Sequence, residues 1–196
     1  ALDVLQSYHE SIADAGVMPS PECLTVEQHE RLFILNYPGG SRLNRTIGMI
    51  VTAMLTAKSG YKIGFQFDPY RIILDVPART TVKDLLAILK GFVPEVSSLL
   101  RFAIKDSPSL KPQLLHSARK MGAIAPDADI GKFGMKKLME AYSDTPLYTE
   151  AVERFLFHQL DENGMEKFIH QINSGEIVVK LSPKTPHGHA GLDPYR

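Results

Sequence analysis

The chain is poor in the residues that carry self-contained chemistry. It has one cysteine, Cys23, and no tryptophan. A single thiol excludes an internal disulfide and any metal centre built only of cysteines, and it favours a reducing compartment. A cytoplasmic location is the expectation. No apolar run approaches the roughly 20 residues that a membrane-spanning helix needs; the longest is about residues 47–57. The first ten residues lack the basic start and apolar centre of a signal peptide. The sequence also has no G-x-x-x-x-G-K-[ST], G-x-S-x-G or H-E-x-x-H pattern, which removes the common phosphate-cradling, nucleophile-elbow and zinc-hydrolase signatures. Gly39-Gly40-Ser41 precedes a predicted helix, but it lacks the lysine and the spacing of a phosphate loop and reads as a turn and cap. Net charge is missing as well: 22 Lys and Arg balance 22 Asp and Glu. Zero charge argues against a strongly basic nucleic-acid binder and removes the usual colloidal protection of a free-standing protein.

What is present is ordinary globular composition, with 44% apolar and 22% charged residues in 196. That length suits one large domain or two small ones, burying roughly 70% of the unfolded surface. The chain opens on Ala1, not Met, and reads at once as a helix, which suggests a piece of a longer polypeptide.

The zero is a balance of blocks. Residues 1–30 hold six acids and no base, −6. Residues 31–100 hold nine bases and four acids, +5, and residues 101–137 hold eight and three, again +5. Residues 138–176 hold two bases and eight acids, −6, and the remainder is +2. A basic centre between acidic blocks has the form of a binding face, although the blocks can also pair inside one fold.

Periodicity predicts the elements. Leu2, Leu5, Ile12 and Ala13 suggest an N-terminal helix ending at Gly16. Cys23–Glu27 and Arg31–Asn36 read as strands split by a Gln28-His29-Glu30 turn. A helix capped by Ser41 runs to about Lys58; Leu43, Ile47, Ile50, Val51, Met54 and Leu55 cover more than one of its faces, so it belongs at the centre of a core. Tyr61–Asp68 and Tyr70–Val76 form a strand pair, with Ile63, Phe65 and Phe67 on one side of the first. Helices follow, with Thr145 capping one that starts at Pro146 and a capping box expected from Asn163 and Glu166. Glu176–Leu181 alternates as a final strand. The fold class is therefore α+β: a small, mainly antiparallel sheet of about five strands with a central helix, then a helical bundle and a returning C-terminal strand. The expected divisions are 1–20, an N-terminal helix and linker; 21–78, sheet plus helix; 79–182, mainly helical with the last strand; and 183–196, an extended tail.

Several residues carry potential chemistry. Arg42 and Arg45 fall in the first turn of the central helix, where the dipole favours acids. An anion such as a phosphate backbone would compensate them, as would a salt bridge to the acidic blocks or simple solvation. Tyr61, Phe65, Phe67 and Tyr70 interleave with Lys62 and Arg71; such aromatics stack bases or fill a core. Arg119, Lys120, Lys132, Lys136 and Lys137 make a second basic group, suited to phosphates or to a solvated face. His187 and His189 offer two imidazoles, a weak metal site and the basis of a third reading, a small metal-dependent hydrolase.

Read in order, Asn36-Tyr37-Pro38-Gly39-Gly40, Leu43-Asn44-Arg45-Thr46-Ile47-Gly48 and Gln66-Phe67-Asp68-Pro69-Tyr70-Arg71-Ile72 form a pattern. It continues through His116-Ser117-Ala118-Arg119-Lys120-Met121-Gly122-Ala123-Ile124, Ala141-Tyr142-Ser143-Asp144-Thr145-Pro146-Leu147-Tyr148 and Ile172-Asn173-Ser174-Gly175-Glu176-Ile177. Over roughly residues 20–182 this resembles the DEAD/H-associated region that follows the motor and winged-helix parts of large helicase-related (Lhr) proteins, the archaeal type above all. One departure stands out. Leu110-Lys111-Pro112-Gln113-Leu114-Leu115 replaces the aromatic-basic-aromatic run usual before the His-x-Ala segment.

The resemblance implies a superfamily 2 helicase, an ATP-driven translocase on single-stranded nucleic acid that unwinds duplexes in repair. It implies ATP and magnesium in the parent motor, no cofactor and no catalytic residue in this chain, and an accessory role. The expected partners are the motor and winged-helix domains and single-stranded or forked nucleic acid, with no membrane. The candidate contacts are Arg42, Arg45, Arg71, Arg119 and Lys136. The competing reading is a packing module that never touches nucleic acid.

Overall fold

In a computed structural model, the described residues are 19–91, 95–105, 107–128, 131–143 and 145–182. The expected N-terminal helix and the tail histidines lie outside them. Strands β1 (Cys23–His29), β2 (Leu32–Asn36), β3 (Gly64–Phe67), β4 (Arg71–Asp75) and β5 (Val178–Leu181) form one sheet of order β3-β4-β2-β1-β5. Helices α1 (Gly40–Ser59), α2 (Val82–Lys90), α3 (Val96–Lys105), α4 (Leu110–Lys120), α5 (Lys132–Tyr142), α6 (Pro146–Gln159) and α7 (Glu162–Ser174) supply the rest.

The fold is α+β and the sheet mostly antiparallel. Only β5, reached after the helical run, lies parallel to its neighbour, with Leu24 opposite Val179. The β1–β2 ladder extends to His29 opposite Leu32, so the turn is shorter than the sequence suggests. Glu30, the one non-glycine at positive φ among the described residues, takes the left-handed conformation at φ 49° and closes the hairpin at once.

Alternation sends Leu24, Val26, Phe33, Leu35, Ile72 and Leu74 to one face of the sheet, all essentially inaccessible. Helix α1 lies on that face, and α2, α3 and α7 cover its other side. Ile47, Ile50, Val51 and Leu55 are thereby sealed from water, each contributing about 1.5–3 kcal/mol by burial. This is why the apolar residues of α1 exceed a single stripe. Beyond this layer, α4 packs on α5 and α6. The buried apolar side chains form one cluster running from Leu24 to Ile177.

The caps follow local chemistry, with two differences from expectation. The N-cap of α1 is Gly39, with no side-chain cap, and Ser41 sits inside the first turn. The start is fixed instead by Gly40 N–H donating to the Pro69 carbonyl at 2.9 Å. At α7 the cap is Asp161, whose Oδ1 accepts from Gly164 N–H at 2.9 Å, so Asn163 lies within the helix. Gly60 and Gly175 end α1 and α7 at φ 73° and 80°, the left-handed position that glycine occupies at least cost.

Helix α2 has a full capping box between Thr81 and Asp84. The Asp84 carboxylate also meets Lys58 Nζ at 2.7 Å. Bonds from Lys58 and Thr81 hold its pKa well below the carboxylate range. A depressed folded pKa stabilises above the unfolded value, near 4, and that stability is lost as pH falls. Asp84→Asn is therefore expected to lower Tm at neutral pH. The gap between variant and wild type should close in melts taken progressively below about pH 4.

Candidate nucleic-acid interface

The start of α1 is where the chain's distant segments meet. Asn44, fully buried, donates through Nδ2 to the Tyr37 carbonyl at 3.0 Å and the Asp68 carbonyl at 2.9 Å. It thus ties the end of β2 and the β3–β4 turn to the helix. Thr46, also fully buried, donates to the Arg42 carbonyl at 2.8 Å and accepts from Asp161 N–H at 2.9 Å. Between them Arg45 donates to Gln159 Oε1 and lies 5.0 Å from the ring centroid of Phe155 and 5.6 Å from that of Phe67. Each residue of Asn44-Arg45-Thr46 therefore binds a different part of the chain, and the triplet is a joint.

Arg42 completes it. Its Nη2 donates to the Phe157 carbonyl at 2.9 Å and to the Leu160 carbonyl, and its Nε to the latter at 3.1 Å. These carbonyls belong to the C-terminal end of α6, which carries partial negative charge. With α1 starting at Gly40, Arg42 is in the first turn and Arg45 in the second, and their compensation is neither a carboxylate nor bulk water. It is the negative end of a neighbouring helix, with an amide oxygen and two aromatic faces. Burial pulls the Arg45 guanidinium below its usual pKa, yet an arginine stays charged at any working pH. Arg42→Ala should cost about 1–2 kcal/mol in urea unfolding, since it removes a cation and its hydrogen bonds from a helix C-terminus.

Arg71 lies at the same end. Its Nε donates to Asp68 Oδ2 at 2.6 Å, while Asp68 Oδ1 accepts from the N–H groups of Tyr70 and Arg71 at 2.8 and 3.0 Å. The structure therefore gathers Arg42, Arg45 and Arg71 around the start of α1. Arg119 is elsewhere, on α4, donating to the Ala128 carbonyl at 2.8 Å. Lys136 is on α5, and its side chain lies outside the described residues.

The predicted aromatic stripe divides. Phe65 packs against Gly48 of α1. Tyr61, Phe67 and Tyr70 keep 55%, 37% and 53% of their surface. Phe157, whose carbonyl accepts from Arg42 and whose side chain is 75% exposed, was not singled out from the sequence. The available signal was position: it follows Phe155 and Leu156 of the apolar stripe of α6 and falls off that stripe. Gln159 and Phe155 also belong to the joint; Phe155 reads as one more residue of the apolar stripe, and no local pattern marks Gln159.

Among the described residues no group of three His, Cys, Asp or Glu could hold a metal ion, and no helix is long and apolar enough to cross a membrane.

Comparison with known proteins agrees with this architecture. A family model described as DEAD/H associated matches residues 18–186. A search of the curated proteins finds no match. Among solved structures, the Mycobacterium smegmatis helicase Lhr, bound to ssDNA and AMP-PNP, is similar over 90% of this chain at 18% identity, with a TM-score of 0.71. The match covers 24% of that chain, so this sequence spans about a quarter of its length.

Proposed function

The chain belongs to the DEAD/H-associated family, and from that we propose that it serves as an accessory, non-motor domain of an Lhr-type ATP-dependent helicase, where it helps to hold nucleic acid and braces the motor domains. The sequence contains no phosphate-cradling motif, so ATP and magnesium would belong to the motor of the parent protein.

The observation that carries the nucleic-acid part is the cluster of Arg42, Arg45 and Arg71 at one end of α1. Arg42 commits Nε and Nη2 to α6, and among the described residues nothing bonds its Nη1, which would serve a phosphate oxygen. The acids nearby are spoken for: Asp68 is matched by Arg71, and the Asp161 carboxylate accepts from its own helix. The solved relative is a helicase bound to ssDNA, which is consistent with this role. Arg119 and Lys136 are proposed as secondary contacts, outside the cluster.

Holding by phosphate contacts predicts a steep loss of affinity with salt. Fluorescence anisotropy of the chain with single-stranded and forked oligonucleotides, from low to physiological salt, tests this. Weak binding that falls with a negative log–log slope supports direct contact. No binding at low salt favours the second reading, a packing module, for which exposed Phe102 on α3 and Met121 beyond α4 would be docking residues.

A further inference from the structure

We propose that residues 1–18 of this chain dock on the outer face of the sheet and cover it. This goes beyond the nucleic-acid reading and is independent of it, because it concerns the side of the sheet away from α1.

Alternation places Thr25, Glu27 and His29 of β1 on this face with Leu32, Ile34 and Asn36 of β2. Helix α1 lies on the other face, and the remaining helices pack on α1 or on one another. No helix among the described residues therefore backs the outer face. Yet Thr25, Ile34 and Asn36 keep only 2%, 4% and 3% of their surface. Strand neighbours alone do not seal a residue in this way. On the same face Asp75 is exposed and Val178 keeps 47%. The centre of the face is covered and its margin is not.

The chemistry of the centre suits an apolar occupant. Asn36 Nδ2 donates to Thr25 Oγ1 at 3.2 Å and to Glu27 Oε1 at 2.6 Å, and Glu27 Oε2 lies 3.1 Å from His29 Nε2. A polar row already matched along the face needs no further partner from its cover. Beside it, Ile34 stands with partly buried Leu32 and Ile73 as an apolar anchor.

Two terminal segments lie outside the described residues. Residues 1–18 carry the helical apolar pattern of Leu2, Leu5, Ile12 and Ala13, whereas 183–196 have only Leu192 and Tyr195 as large apolar residues. The first segment is also tethered at the right place. Ser20 exchanges two backbone hydrogen bonds with Cys23, each of 3.0 Å, at the start of β1. Residues 1–15, at a helical rise of about 1.5 Å each, reach about 22 Å, and a five-stranded sheet is about 19 Å across. Charge agrees as well. The segment has Asp3, Glu10 and Asp14 with no Lys or Arg, and Lys180 and Arg71 border the face. The family match begins at residue 18, so the cover would be an addition to the matched region.

The test measures how fast Cys23 of the full chain reacts with a maleimide under native conditions. Cys23 is the single thiol and shares the face with Thr25. The proteins are wild type, a Leu5→Asp, Ile12→Asp double variant, and Leu192→Asp. The double variant should react about tenfold faster, since a thiol whose cover is displaced no longer waits for local opening. Leu192→Asp should match wild type. A second readout needs no variant: carbodiimide coupling of wild type, mixed as isotope-labelled and unlabelled chains. It should join Lys180 to Asp3, Glu10 or Asp14 within one chain, and it decides the matter if the double variant does not fold. Couplings found only between labelled and unlabelled chains assign the face to a second copy and overturn the proposal. Faster reaction in Leu192→Asp alone assigns it to the tail and overturns it too. An unchanged Cys23 rate in a folded double variant, or no coupling of Lys180 to residues 1–18, has the same consequence.

Discussion

Asn44→Ala should lower the unfolding free energy by about 2–4 kcal/mol. Its amide satisfies two carbonyls, those of Tyr37 and Asp68, at a fully buried position. Removing the donor leaves both acceptors unpaired, at roughly 1–3 kcal/mol each, less whatever water can reach. Asn44→Asp is the sharper test. An acid near the N-terminus of a helix is ordinarily favourable, so helix electrostatics alone predicts that aspartate is no worse than alanine. Here the carboxylate would face two carbonyl oxygens without a donor, and aspartate should be worse. Urea denaturation of the three proteins settles the order. Gly39 belongs to the same knot: an added Cβ would sit 2.7 Å from Asn44 Oδ1 and 2.9 Å from the Tyr37 ring.

Gly48→Val should cost about 1–3 kcal/mol, the usual range for overpacking. Gly48 is where α1 presses on the sheet. A Cβ there would lie 2.5 and 2.6 Å from two atoms of the Phe65 ring and 3.2 Å from Ile72. Intrinsic propensity pulls the other way, since alanine in a helix interior is favoured over glycine by up to about 1 kcal/mol. A double-mutant cycle separates the two effects. Gly48→Ala should destabilise the wild type but become neutral or stabilising with Phe65→Leu, which removes the ring. Additive effects would show that Phe65 is not what excludes the methyl group.

The elements that were legible in the sequence are those whose causes are local. The apolar positions of α1 announce a helix covered on several sides, and the sheet and helical layer cover it. The alternation of Glu176–Leu181 announces a strand, and β5 (Val178–Leu181) joins β1. Glycine follows α1, α2 and α7 as the C-cap of each. At the two helix starts that differ from expectation, a contact from a distant part of the chain goes with the shift. Ser41 is the better capping residue by type, but the Gly40–Pro69 hydrogen bond goes with a cap two residues earlier, at Gly39. Asp161 displaces Asn163 as a cap because Thr46 already holds its backbone N–H.

The site was legible in part, for the same reason. Arg42 and Arg45 attract notice because their charge opposes the helix dipole. What compensates them is more than 110 residues away in sequence, at the end of α6, and no spacing rule reaches that far. The order of segments that carries the resemblance to Lhr proteins runs through this joint. The block charges tell a related story. Arg101 of the basic centre pairs with Glu153 of the acidic block, and both arginines of α1 bind the C-terminal end of α6, which lies in that block. Part of the positive excess of residues 31–137 is therefore taken up inside the fold.

The central claim is that nucleic acid is held at the start of α1. Photo-cross-linking of a 5-bromodeoxyuridine-substituted single strand, followed by peptide mapping, tests it most directly. The account predicts adducts on Phe67 or Tyr70, lost when excess dT strand competes. Adducts confined to α4 and α5, or none at a salt concentration where anisotropy shows binding, would contradict it.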